Sequence, residues 1–261
     1  MTQAAFHQLL HQIGPSHLIG FFLVLARLTP LFVLAPLFSS PMIPAQVRAV
    51  IAIALSIGLT GIAMHGHPVP TDALSIAGLF VCNALIGLGF ALAVAAVFAA
   101  VTSAGALLDV ISGFSYGQLI NPFDGSQGGT LTNLYSLVGL ALFIAIGGDA
   151  WLLRGIAGTF TVVPLTGAPD ITTLTGGVLS AVDNLFVGAL EVAAPAMLAL
   201  LVTDVAFGMV SRVVPQLNVF AVGFPVKVGV ALLIVAAALP FLGGFISDQV
   251  SSGVSAIVQA I

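Results

Sequence analysis

Six apolar runs dominate this chain, at about residues 16–38, 43–64, 74–101, 131–156, 182–210 and 218–246. Each is long enough to cross a bilayer, which takes about 20 mostly apolar residues in a helix. In lipid every backbone N–H and C=O must be satisfied within the segment, and a helix does that. A closed β-barrel would show alternating segments of about ten residues. Stretches such as Ala91-Leu92-Ala93-Val94-Ala95-Ala96-Val97 do not alternate. The pattern predicts an all-α, polytopic membrane protein with about six long hydrophobic helices. Residues 1–261 read as a single membrane-embedded domain, with no sequence repeat and no soluble domain.

The connections differ in character. Ser39-Ser40-Pro41-Met42-Ile43-Pro44 is a short break with two prolines. Residues 102–130 read as a long Gly/Ser-rich loop that still carries Leu107, Leu108, Ile111, Phe114 and Tyr116. Residues 155–177 read as an ordinary Thr/Gly/Pro-rich loop. Residues 211–227 form a polar joint holding Arg212, Gln216, Asn218 and the sole lysine, Lys227, among Val213, Val214, Leu217, Phe220 and Phe224. A solvated loop need not be so apolar, so a tightly packed or re-entrant turn is expected there. Pro30 and Pro36 fall in the first run, Pro195 in the fifth and Pro240 in the sixth, where they would kink helices. Gly87 and Gly89, followed by the alanines of 91–100, give the third run a smooth face that lets backbones approach closely. That face would pack either within this chain or against other subunits.

Composition strengthens the membrane reading. The chain is 59% hydrophobic and 5% charged, against about 25% charged in soluble domains. No basic patch exists, which argues against nucleic acid as a partner. Cys82 is the single cysteine, so neither an intrachain disulfide nor a Cys-based metal site is expected. The residues before the first run lack Lys and Arg, unlike the start of a signal peptide, and that run reads as retained. Arg48, Arg212 and Lys227 flank odd-numbered loops and Arg154 an even one, a weak vote for an outside N-terminus.

Three constellations invite a chemical reading. Gly113-Phe114-Ser115-Tyr116-Gly117 matches G-x-S-x-G, but no strand precedes Ser115 to build the strand-to-helix turn of that motif, and a nucleophilic serine also needs a base. It reads better as a flexible loop with aromatic tips. His65-Gly66-His67 and the pair His7 and His11 lack carboxylate or thiolate partners, and no metal or cofactor is expected. Asp109, Asp149, Glu191 and Asp204 lie in or near the runs. A charge at the bilayer centre costs about 2.5–3.5 kcal/mol, so such acids find partners or face a polar interior. Arg27, Arg154 and Arg212 are the candidate partners; a proton-coupled transporter would use the same acids.

Four ordered stretches carry a resemblance. They are Ala26-Arg27-Leu28-Thr29-Pro30 through Ala35-Pro36-Leu37-Phe38-Ser39-Ser40; Ile43-Pro44-Ala45-Gln46-Val47-Arg48-Ala49; Gly113-Phe114-Ser115-Tyr116-Gly117-Gln118-Leu119-Ile120-Asn121-Pro122; and Pro215-Gln216-Leu217-Asn218-Val219-Phe220 with Gly223-Phe224-Pro225-Val226-Lys227. In order and spacing the chain resembles the FliR/SctT family, the R subunit of the type III export gate of flagella and injectisomes.

The resemblance implies a non-enzymatic, pore-forming subunit in the bacterial inner membrane, of a flagellar system in preference to an injectisome. One copy would join the P and Q subunits, with the B and A export subunits nearby and unfolded proteins as cargo. It implies helices in bent hairpins and a plug-like loop at about Leu107 to Pro122. Leu107, Ile111, Gly113, Phe114, Tyr116, Gly117 and Pro122 would form that plug, with Phe114 and Tyr116 as the constriction. Arg27, Pro36, Pro44, Arg48, Pro215, Gln216, Asn218, Phe220, Gly223, Pro225 and Lys227 would serve assembly. The family's methionine ring comes largely from the P subunit, in keeping with the absence of a Met cluster here. The scarcity of charge in this copy is a departure that leaves its inter-subunit ion pairs unassigned. The competing reading is a proton-coupled secondary transporter of a small solute, for which inverted repeats would be expected and none is seen.

Overall fold

The computed structural model describes residues 14–40, 43–64, 69–70, 72–115, 129–214, 216 and 218–260. All its regular elements are helices. They are α1 (Pro15–Leu34), α2 (Pro36–Ser39), α3 (Ala45–Ala63), α4 (Ala73–Ser112), α5 (Thr130–Ala145), α6 (Gly148–Val162), α7 (Ile171–Val213) and α8 (Val219–Ala260). Among the described residues, five helices are long and apolar enough to cross a membrane, six if α5 and α6 count as one broken span. The six apolar runs thus correspond to helices, though several boundaries differ from the sequence reading.

Local chemistry sets those boundaries. Pro15 opens α1 at a position whose N–H would have no partner anyway. The residue before a proline is disfavoured in helical conformation, and Ala35, ahead of Pro36, is extended at φ −69° and ψ 123°. Pro36 therefore ends α1 and starts α2 rather than kinking a continuous helix. Pro30, Pro195, Pro225 and Pro240 sit inside helices that run through them. Asp72 caps α4, its carboxylate accepting from the Ser75 N–H at 3.0 Å. Gly147, at φ +73°, separates α5 from α6 in a conformation that penalises any Cβ.

Two sequence expectations about loops are corrected. Residues 102–112 are helix, since α4 continues to Ser112. No proline interrupts this stretch, and Leu107, Leu108 and Ile111 suit a helix as well as they suit a loop. The 155–177 segment is likewise mostly helical: α6 reaches Val162 and α7 starts at Ile171.

The chain divides into two units. The first takes in the described residues up to Ala95, Asp149–Ala181 and those from Ser251 onward. There α1 packs against α3, and Leu23, Leu28, Leu31, Ile86, Phe90, Leu152 and Ile156 are fully buried. A Cβ on Gly87 would run into the backbone carbonyl of Arg27, so glycine is what lets α4 lie against α1. The second unit comprises Ala96–Gly148 and Val182–Val250. Its core holds Leu108, Leu131, Phe143, Leu200, Ala231 and Ile246. Phe98 meets Phe143 edge to face at 5.1 Å, and a Cβ on Gly188 would stand 2.6 Å from the Phe245 ring. The glycine-rich faces are used, at these positions, for packing inside the chain.

Candidate functional site

The central loop springs from a junction that is built with unusual care for so apolar a protein. In the second unit, α4 ends at Ser112 and Gly113 turns the chain with φ +91°, a conformation in which glycine commonly closes helices. The chain returns to regular structure at α5. Asp109, one turn before the end of α4, is buried at 2% exposure and reaches across to the start of α5. Its carboxylate accepts the Leu131 N–H at 2.9 Å, the Thr132 N–H at 2.8 Å and the Thr132 hydroxyl at 2.6 Å. The first N–H groups of a helix have no partner within it, and its N-terminus favours negative charge. Asp109 supplies both needs. Two glycines make room: a Cβ on Gly129 would collide with the Asp109 carboxylate, and one on Gly105 would lie 2.7 Å from the Thr132 Cα.

The loop's first aromatic residue also has a partner. Phe114 meets Phe224 of α8 edge to face, with ring centroids 6.0 Å apart. Phe224 lies between Gly223, buried against Phe207 of α7, and Pro225. One turn along α8, Lys227 forms an ion pair with Asp204 of α7. The start of the central loop and the residues after the polar joint therefore meet in one place.

The described part of the 211–227 stretch is mostly helix rather than the turn expected from sequence. Arg212 closes α7, and Val219 onward is already helix, so Gly223, Pro225 and Lys227 are helical. Asn218 does serve the backbone, its Oδ1 accepting the Ala221 N–H at 3.2 Å. Gln216 is exposed, as are Val213 and Val214, at 81% and 43%. Phe220 lies in the first turn of α8. Leu107 and Ile111, expected in a loop, are half-buried on α4. Tyr116, Gly117, Pro122 and Pro215 fall outside the described residues.

In the first unit, Arg27 is a second polar hub, fully buried. Its Nε donates to Asn83 Oδ1 at 2.9 Å. Its Nη1 donates to the carbonyls of Thr159 and Val163, each at 3.0 Å, in the last turn of α6 and just beyond it. Its guanidinium stands 4.4 Å from the Phe160 ring centroid. Asn83 in turn donates to the Leu165 carbonyl at 3.0 Å. Arg48 likewise serves carbonyls, donating to Ile43 from Nε at 3.2 Å and Nη2 at 3.0 Å. Pro36 opens α2, and Pro44 stands at the start of α3.

For Asp109 and Asp204 the partners differ from the arginines suggested by the sequence. Asp109 serves a helix N-terminus, Asp204 pairs with Lys227, and Arg27 serves a helix C-terminus. Asn83, Thr132 and Thr159 were missed by sequence reading. The available signal was weak: Asn83 is a lone amide inside the apolar run 74–101, and such a group needs a partner.

Comparison with known proteins is decisive for the family. A sequence model described as "Bacterial export proteins, family 1" matches residues 18–253. The chain belongs to this family.

Members of the FliR/SctT family among curated proteins align along most of both partners. "Flagellar biosynthetic protein FliR" of Escherichia coli is 27% identical over 225 residues, 86% of each chain. The FliR of Bacillus subtilis is 30% identical over 217 residues, 82% of this chain and 83% of its own. "Surface presentation of antigens protein SpaR" of Salmonella typhimurium is 24% identical over 226 residues, 86% of this chain and 83% of its own. With its long apolar helices, this FliR/SctT member is a multi-pass membrane protein of a bacterial protein export apparatus.

Proposed function

We propose that this chain is a non-enzymatic, pore-forming subunit of a type III export gate, flagellar rather than injectisome. It would assemble with the P and Q subunits, next to the B and A export subunits. Its central loop, from about Gly113 to Pro122, would seal the channel until an unfolded substrate displaces it. The flagellar assignment leans on the relatives named FliR in Escherichia coli and Bacillus subtilis, although SpaR also aligns.

The observation that supports the seal is the junction at Asp109. A plug must move at its tip and stay fixed at its root. Three hydrogen bonds from α5 to one buried carboxylate hold the two ends of the loop together. Gly113 provides the turn, and Phe114 meets Phe224 edge to face. Such an aromatic pair adds about 0.5–1.5 kcal/mol beyond the burial of its area, an increment that cargo could displace. An apolar constriction also excludes ions by dewetting.

The test is ion conductance of the assembled gate in planar bilayers. Phe114→Ala, or deletion of Gly113–Gly117, should raise resting conductance, severalfold for the point variant. Unchanged conductance in both would remove the plug assignment. Failure of the chain to co-purify with P and Q subunits would remove the subunit assignment.

A further inference from the structure

A groove of about 470 Å³ opens in the second unit, lined by α5, α7 and α8. Its walls are almost wholly apolar, with Val138, Val192, Ile234 and Leu242 among them. One charged side chain interrupts this surface, Glu191, which pairs with no cation among the described residues. Its backbone carbonyl also lacks its helical partner, since Pro195 stands four residues on and has no N–H to give it.

The chain's nearby cations are committed or distant. Lys227 holds Asp204. Arg212 lies 21 residues from Glu191 on the same helix, about 31 Å along its axis. An anionic carboxylate in so apolar a setting is costly without a partner. The groove is therefore complementary to a cation.

Its surroundings indicate how that cation arrives. Phe186, Leu190, Leu198, Leu201 and Val205 of α7 are 49–65% exposed and recur at spacings of three, four or eight residues. They make an apolar stripe of about 28 Å. Phe241 on α8, also lining the groove, is 80% exposed. A stripe of that length suits a helix laid alongside better than it suits a lipid headgroup.

We propose that the groove seats an apolar transmembrane helix of another subunit of the same apparatus, with a lysine or arginine of that helix on the Glu191 carboxylate. This rests on the reading of the chain as an export-gate subunit. The Glu191 carbonyl, left without a helical donor by Pro195, would take one of the cation's remaining N–H groups.

The test uses the full chain, co-expressed in native membranes with the other membrane subunits of its apparatus. A photo-crosslinking amino acid is placed at Val138 or Ala238, both in the groove wall. The expected products join each position to one apolar partner helix with a Lys or Arg within a turn of the crosslink. Glu191→Lys should lower recovery of the complex about tenfold, and Glu191→Gln severalfold, as expected for a desolvated charge pair. Reversing the partner's cation to Glu should restore recovery with Glu191→Lys, which separates lost pairing from misfolding.

Crosslinks to phospholipid alone, or to a helix without a basic residue, overturn the proposal. So does undiminished recovery with Glu191→Lys. In those cases the complex still forms and the export-gate reading stands. Recovery of no partner subunit with the unaltered chain would overturn both.

Discussion

Arg27 shows at the scale of one residue how a charge survives in an apolar protein without an opposite charge. Its neighbours are an amide, two helix-terminal carbonyls and an aromatic face. The planar guanidinium can meet all of them at once because its donors diverge in a fixed fork, whereas an ammonium is a single point. Arg27→Lys should therefore lose at least one charged hydrogen bond, a cost of about 1.5–3 kcal/mol. Thermal unfolding of the purified protein in detergent should show a lower midpoint. An unchanged midpoint would mean that the hub contributes little. From sequence, Arg27 was recognisable as a cation inside an apolar run, but Asn83 and Thr159 were not recognisable as its partners. They lie 56 and 132 residues away, beyond the reach of any local pattern.

At the scale of elements, polar side chains fix where the long helices begin. Asp170 precedes α7 and accepts the Thr172 N–H at 2.9 Å and the Thr173 hydroxyl at 2.6 Å. The Thr173 hydrogen bond, then that of the Thr172 backbone, holds its carboxyl below the usual value of 3.8. A depressed carboxyl stabilises the folded state fully above the unfolded pKa, and that contribution disappears as pH falls through the folded value. Acidification below the ordinary carboxylate range should thus fray the first turn of α7 while its interior holds. Hydrogen-exchange protection at Thr172, compared between neutral and acidic pH, measures this; equal protection would refute it. Asp170→Ala should show the frayed turn already at neutral pH. Apolar periodicity had located the helices well and their ends poorly. The third run in sequence stops at 101, but α4 continues to Ser112 because its Leu, Ile and Val residues also pack as helix.

At the scale of the whole molecule, much apolar surface lies uncovered, notably on α3, α7 and α8. Ile57, Ile62, Phe186, Val202, Leu233 and Phe241 are each more than half exposed. Lipid covers some of this surface, and partner helices would cover the rest. A partner that binds only the folded chain stabilises it by mass action, about 2.7 kcal/mol at a hundredfold excess over Kd. The chain co-purified with its partners should accordingly unfold at a higher temperature than the chain alone in the same detergent. Equal midpoints would argue that its apolar faces meet lipid only. The sequence by itself determined the membrane setting, the six apolar runs and the family, because hydrophobic periodicity and ordered local motifs are written in consecutive residues. Only the tertiary structure decided that Asp109 holds the root of the central loop, that Phe114 rests on Phe224, and that Arg27 closes the end of α6. Those pairings depend on helices brought together by their apolar and glycine faces. A buried polar group takes whichever partner that packing places within hydrogen-bond reach, and the distance along the chain carries no record of it.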